Sequence, residues 1–258
     1  MLPPGWRALR FDTLDSTNDE ARRRAEAGEP DDDGALVVSA AAQTAGRGRG
    51  GRSWSSQTGN LHLSLLLRPR VPFAQVALAS FVAALGVVEG VADLAPGLDL
   101  RCKWPNDVLA GGRKLCGILL EAEEAMAERP AWLVIGIGVN VGYAPDLPGL
   151  LYPATSLRAL GCEAGVDRVL EQVCRRLHMW WTTWNEQGFA PVREAWLARA
   201  AGLGKPVTVR LDGGTVVGTF AGLDLDGALL LDVEGTGRRR VLAGDVFFGE
   251  GKRKDERP

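Results

Sequence analysis

Histidine is scarce in this 258-residue chain, with His62 and His178 its entire complement. No histidine base stands beside a serine or cysteine nucleophile, which argues against covalent catalysis of the triad kind. Cysteine is scarce too. Cys102, Cys116, Cys162 and Cys174 are widely spaced and form no Cys-x-x-Cys pair, so neither a zinc site nor a disulfide framework is expected. Free, buried thiols in a reducing compartment follow. Charge of one sign is also lacking: the formal net charge is −2, which removes any global attraction to nucleic acid or membranes. The N-terminal Met-Leu-Pro-Pro-Gly-Trp-Arg does not have the charged-then-apolar layout of a signal peptide. The longest apolar stretch, 74–92, is broken by Gln75, Ser80 and Glu89 and reads as a core helix rather than a membrane span. Two nucleotide-binding fingerprints are missing as well. There is no Gly-x-x-x-x-Gly-Lys-Ser/Thr, and Gly136-Ile-Gly138 has neither the third glycine nor the following helix of a dinucleotide site. A cytoplasmic globular protein is expected, with any basic function confined to a local patch.

What is present organises the chain. With 46% hydrophobic and 24% charged residues, it can build one large domain, or a medium one plus a small one. Strands are expected over 6–11, 36–40, 60–67, 98–104 (stopped by Pro105) and 132–141, and helices over 73–91, 167–186 and 190–201. Thr17-x-x-Glu20 suggests a capping box opening a further helix. Gly111-Gly112 supplies the positive φ angles of a tight turn, joining 108–110 to 114–121 as a hairpin. From Lys205 the texture changes to short β-type runs at 207–211, 216–221, 228–231 and 239–242. Gly and Asp turns separate them, which suggests a small barrel after a mixed α/β domain. Gly202-Leu-Gly204 reads as the linker and 251–258 as a disordered tail.

The most informative segment is Gln43-Thr-Ala-Gly46-Arg47-Gly48-Arg49-Gly50-Gly51-Arg52-Ser53-Trp54. Glycine lets backbone approach a ligand, and arginine pairs bidentately with phosphate or carboxylate. Two like charges about 6 Å apart repel by about 0.7 kcal/mol in water and by about 3 kcal/mol at an effective dielectric near 20. Arg47, Arg49 and Arg52 are therefore expected to be loose until an anion neutralises them. The loop is read as closing over a small phosphate-bearing ligand inside an enzyme. The alternative, a flexible RGG-like RNA-binding tract, fits poorly with a short run set between two core strands and ending in tryptophan.

Other segments carry weaker signals. Lys103-Trp104-Pro105-Asn106-Asp107 delivers a lysine from a strand and sets an amide and a carboxylate on a turn; it also reads as a plain strand-ending turn with a surface lysine. Lys114 opens an apolar strand broken only by Gly117, which suggests close approach of a flat ligand; an edge-strand lysine reads equally well. Gly136 and Gly138 strip one strand face of side chains, with Asn140 at its rim. Ser16, Thr17 and Asn18 suit a helix cap as well as a ligand.

In this order, these blocks resemble the biotin–protein ligases. The resemblance covers nearly the whole chain: Ser16-Thr17-Asn18, Gln43 with the 46–54 loop, Lys103 to Asp107, Lys114-Leu-x-Gly117 and Gly136-x-Gly-x-Asn140. It implies an α+β fold in which residues 1–203 form a mixed-sheet catalytic domain of the class II aminoacyl-tRNA-synthetase-like type. Residues 204–250 are implied to form an SH3-like β-barrel. It also implies ATP and Mg²⁺ as cofactors, biotin as substrate, and a biotin carboxyl carrier protein or domain as partner. Biotinyl-5′-AMP would be the intermediate. Lys114 and Arg47 are implied as catalytic. Ser16, Thr17, Asn18, Gln43, Gly46, Arg47, Lys114 and Gly117 are implied to bind biotin. Arg47, Arg49, Arg52, Trp54, Lys103, Asn106, Lys114 and Asn140 would bind the adenylate, and Asp107 would support metal. Cys116 stands where alanine is common in the family, which raises the question of thiol sensitivity. The Ser16 motif lies too near the start for a winged-helix domain to precede it, so no operator binding is expected, and no membrane partner either. A homodimer stays open. Lipoate–protein ligase is the rival of similar fold.

Overall fold

A computed structural model describes residues 1–30, 34–124, 129–145, 152–211 and 213–248. The seven strands of its main sheet are β1 (Trp6–Leu14), β2 (Ala35–Gln43), β3 (Leu61–Leu67), β4 (Leu100–Lys103), β5 (Asp107–Ala110), β6 (Arg113–Glu124) and β7 (Pro130–Val139). They lie in the order β1-β2-β3-β7-β6-β5-β4, parallel between β1 and β2 and antiparallel elsewhere. The double glycine turns the β5–β6 hairpin as expected, with φ of 55° at Gly111 and 74° at Gly112.

Side-chain alternation assigns the two faces. Leu61, Leu63, Leu65 and Leu67 of β3, with Leu133, Ile135, Ile137 and Val139 of β7, enter a large core. It is completed by α2 (Ala79–Ala92), α3 (Val166–Gln187) and α4 (Phe189–Ala198). Truncating one such leucine to alanine costs about 2–5 kcal/mol. The 74–92 stretch is the centre of this core. A 3₁₀ turn over Phe73–Leu78 leads into α2, and twelve residues of α2 are buried. The opposite face is uneven. Leu36, Val38, Leu66, Trp132 and Val134 pack under Ala21 and Ala25 of α1 (Thr17–Glu26), whereas the other end of the same face carries Ser64, His62, Gly136 and Gly138. A groove forms because bulk stops there.

The capping box is not formed. Ser16 is the N-cap and makes no side-chain cap bond, and the Thr17 hydroxyl turns to Gln43. Glu20 is drawn away by Arg23 and Arg24 at 2.9 and 2.7 Å, because charge-assisted bonds outcompete a neutral cap.

Beyond α4 the chain forms β8 (Pro206–Leu211), β9 (Gly214–Leu223), β10 (Leu229–Val233), β11 (Gly237–Val241) and β12 (Asp245–Phe248), an antiparallel sheet ordered β11-β10-β9-β8-β12. The runs expected at 207–211, 216–221, 228–231 and 239–242 are its first four strands; the fifth, β12, was not anticipated. Among the described residues no pairing closes β11 onto β12, so the expected barrel is an open sheet. It is fastened to the main body from two sides. Trp104 Nε1 donates to Gly227 O at 3.0 Å, and Tyr152 Oη donates to Val246 O at 2.6 Å. The tail expected over 251–258 lies outside the described residues.

Candidate active site

The floor of the groove is one cross-strand row. His62 pairs with Gly138, Gly138 with Gly117, Gly117 with Asp107 and Asp107 with Lys103, so five side-chain positions on β3, β7, β6, β5 and β4 share one face. Four strand spacings make the row about 19 Å long. Its centre is bare glycine, one end is a neutral polar group, and the other end is charged.

Over the bare centre lies Trp54. A Cβ at Gly138 would stand 2.5 Å from the indole, and one at Gly117 2.9 Å from it. The flat group expected against Gly117 is thus, in this structure, the protein's own tryptophan. One residue pair along, a Cβ at Gly136 would meet Asn18 Oδ1 at 2.2 Å. Only glycine admits either side chain.

At the neutral end, Gln43 is pinned. The Thr17 amide donates to its Oε1 at 2.7 Å and the Thr17 hydroxyl at 3.1 Å, while Gln43 Nε2 donates to Ser56 Oγ at 2.7 Å. The Ser64 hydroxyl lies 2.8 Å from Thr17 Oγ1 and 2.6 Å from Asn18 Oδ1. Ser16, Thr17 and Asn18 are all buried against this network.

At the charged end, Lys114 Nζ meets Asp107 Oδ1 at 2.6 Å and Lys103 Nζ meets Oδ2 at 3.3 Å. Lys103 also sits 4.2 Å above the Tyr152 ring. Burial opposes ionisation of Asp107, yet Lys114 and then Lys103 hold its carboxyl below the usual carboxylate range. Burial lowers the pKa of Lys103, with Asp107 opposing. Two ammonium groups against one carboxylate leave a formal surplus of one positive charge. Both Asp107 oxygens face lysines, and no group of three His, Cys, Asp or Glu residues gathers among the described residues. The arrangement therefore offers no resident metal cage. Asn106 Nδ2 donates to Ile118 O at 2.6 Å, bracing the turn on β6. Asn140 lines the groove and donates from Nδ2 to Thr155 O at 3.0 Å, which holds the backbone around Lys114.

The 46–54 loop is a narrow hairpin over this floor. Gly48 N donates to Arg52 O at 2.6 Å and Trp54 N to Gly46 O at 2.9 Å. Its arginines are not loose, contrary to expectation, because each finds a carboxylate of this chain. Arg47 grips Asp19 bidentately at 2.5 and 2.9 Å and reaches Glu121 at 2.9 Å, contacts that raise its pKa, Asp19 first. Arg49 binds Asp245, and also Gly244 O at 2.6 Å; Arg52 reaches Asp245 at 3.2 Å. Burial of Asp245 is outweighed by Arg52 and Arg49, so its carboxyl lies below the ordinary value. With the like charges neutralised, the repulsion argument no longer applies.

Of the fifteen residues expected at the site, all but Gly46 line this groove. Sequence reasoning missed Asp19, Glu121, Asp245, Tyr152, Ser56, Ser64 and His62. His62 and Ser64, two apart in a leucine-rich strand, were a legible polar stripe. Cys116 is fully buried and burial pushes its thiol up, so it is inert rather than thiol-sensitive.

Residues 24–198 match the model of the Biotin/lipoate A/B protein ligase family, and residues 202–249 match the Biotin protein ligase C terminal domain. The biotin–[acetyl-CoA-carboxylase] ligase of Paracoccus denitrificans is 40% identical over 240 residues, covering 91% of this chain and 98% of the relative. The bifunctional ligase/repressor BirA of Bacillus subtilis is 36% identical, covering 95% and 75% respectively. The solved biotin protein ligase from Aquifex aeolicus in complex with biotin and ATP superposes with a TM-score of 0.76 at 28% identity, covering 93% of this chain and 97% of that one. The chain belongs to the biotin protein ligase family.

Proposed function

We propose that this protein joins biotin to ATP as biotinyl-5′-AMP and passes the biotin to one lysine of a biotin carboxyl carrier domain. The observation that carries this reading is the row itself. It is a groove floor with a neutral hydrogen-bonding network at one end, Trp54 packed over its glycine centre and surplus positive charge at the other, ends that match a neutral ureido head and a carboxylate tail.

In the first step a biotin carboxylate oxygen attacks the α-phosphorus of ATP, forming the mixed anhydride and releasing pyrophosphate. The carboxylate is already ionised at neutral pH, so no general base is required. The barrier is the approach of two anions, and fixed cations lower it. Lys114 and Arg47 take that role, with Lys114 first because Asp107 holds it beside the floor. Magnesium enters as the ATP complex, where it neutralises phosphate charge. In the second step the acceptor lysine's amine attacks the anhydride carbonyl, an amide forms, and AMP leaves. Thr17, Gln43 and the Gly117 backbone hold the head, with Ser16, Asn18 and Gly46 around them. Arg49, Arg52, Trp54, Lys103, Asn106 and Asn140 surround the adenylate. Asp107 serves as the anchor of two lysines. Residues 1–203 act as the catalytic domain. The 204–250 segment is an SH3-like module whose Asp245 helps close the loop. The buried free cysteines suit a cytoplasmic enzyme.

The test is pyrophosphate release by the purified protein with ATP and Mg²⁺, in the presence of biotin and then of lipoate. Release with biotin supports the reading. Release with lipoate alone would replace it with the lipoate ligase, and tight RNA binding without either activity would remove the enzyme reading altogether.

A further inference from the structure

His62 is 1% exposed and lies at the neutral end of the row, lining the groove. Its Nδ1 stands 3.3 Å from the Ala40 carbonyl of the neighbouring strand. A carbonyl only accepts, so Nδ1 carries the proton and Nε2 presents a lone pair. That Nε2 is buried and has no protein partner. A buried acceptor left unpaired is costly, and such groups are normally satisfied by a partner or an ordered water. Its cross-strand neighbours Ala40 and Gly138 carry no donor side chain, and the Trp54 indole over Gly138 makes no bond to Nε2.

A second open group lies close by. Asn18 is 4% exposed, packs on Gly136 beside Ser64, and its Nδ2 is also buried without a partner. Ser64 and His62 are two residues apart on one strand face, about 6.6 Å. The groove end therefore holds one unfilled acceptor and one unfilled donor in the same lining. A cyclic urea presents the complement, an N–H next to a C=O. Burial also lowers the pKa of His62, which keeps the imidazole neutral and accepting.

We propose that His62 is a specificity-determining residue of the head-group subsite: its Nε2 accepts a hydrogen bond from one ureido N–H of biotin, while Asn18 Nδ2 donates to the ureido carbonyl. The inference rests on the biotin reading above. A ligand lacking that N–H leaves His62 desolvated and unpaired, and sites built around buried polar groups reject such analogues strongly.

The experiment compares biotin with its two ureido N-methyl isomers and with desthiobiotin, which keeps both N–H groups, in pyrophosphate exchange by wild type, His62→Phe and His62→Gln. Exchange by wild type with biotin comes first; its absence would sink the functional reading and leave the His62 assignment without a substrate. Given that activity, wild type is expected to reject one N-methyl isomer at least tenfold more than the other while accepting desthiobiotin. His62→Phe should raise the biotin KM roughly 10- to 100-fold, as expected for an unpaired buried group, with the ATP KM unchanged and the preference between isomers lost. His62→Gln, which retains an acceptor, should recover part of both. Equal treatment of the two isomers by wild type overturns the proposal even where His62→Phe does not fold. So does an unchanged preference in His62→Phe, which would mean that Nε2 faces an ordered water only.

Discussion

Lys103 and Lys114, the first buried and the second partly exposed, share the single carboxylate of Asp107, whereas Arg47, Arg49 and Arg52 are matched by Asp19, Glu121 and Asp245 at the rim. The difference is one of stoichiometry and of solvent. The Asp107 cluster keeps a formal positive surplus that only the more distant Asp245 offsets, so it attracts an anion. Rearranging it means breaking buried ion pairs, which costs several kcal/mol. The rim is balanced, and the pairs of Arg49 and Arg52 with partly exposed Asp245 are screened and worth about 0–1 kcal/mol each. An arriving phosphate can replace Asp245 on Arg49 or Arg52 at little cost. The floor is thus built to hold charge, and the rim to exchange it.

That contrast can be broken at several points. Lys114→Ala should reduce biotin-dependent pyrophosphate exchange by about 10³-fold, the scale of losing one oriented transition-state contact, with little change in melting temperature. Ordinary turnover in that variant would take Lys114 out of catalysis. Asp107→Asn should leave buried Lys103 and partly exposed Lys114 without their shared counter-charge and lower unfolding stability by about 3–5 kcal/mol, read from urea titration. A shift under 1 kcal/mol would mean that the cluster behaves like the rim.

At the rim the effects are smaller and concern loop order. Arg49→Gly should let the activated intermediate escape, so lysines on a bystander protein should become biotinylated severalfold more; strict selectivity would dissociate Arg49 from loop closure. Asp245→Ala should restore repulsion among the arginines and speed tryptic cleavage within 46–54 in the ligand-free protein, with biotin plus ATP restoring protection. Equal cleavage of variant and wild type would show that Asp245 does not hold the loop.

The smallest effect is that of pH through His62. Its folded pKa lies below the unfolded value of about 6.5, so the unfolded chain binds the proton more readily. The stability that its burial contributes is therefore intact above about pH 6.5 and is lost as pH falls through the folded value. Between pH 7 and 5 the melting temperature of wild type should fall more steeply than that of His62→Gln. Parallel slopes would place the proton uptake elsewhere.

Much of this was legible in the sequence, and for local reasons. Leucines alternating through β3, the double glycine before β6 and the paired glycines of β7 each report on their own strand, so strands and floor followed from spacing. The capping box failed because Arg23 and Arg24 compete for Glu20 within one turn. The expected looseness of Arg47, Arg49 and Arg52 failed because their partners lie far along the chain, Asp245 being 196 positions beyond Arg49. Four-residue β12 carries too little pattern to stand out. His62 was visible as an odd residue, but the row that makes it one end of a slot exists only after five strands are paired.

The same separation has a consequence during synthesis. A ribosome adding about 5–20 residues per second makes Asp245 roughly 10–40 s after Arg49. For that interval the nascent enzyme carries a complete arginine hairpin whose outer clasp has not yet been made. Closure of the rim thus reports that translation has reached the last strand of the C-terminal sheet.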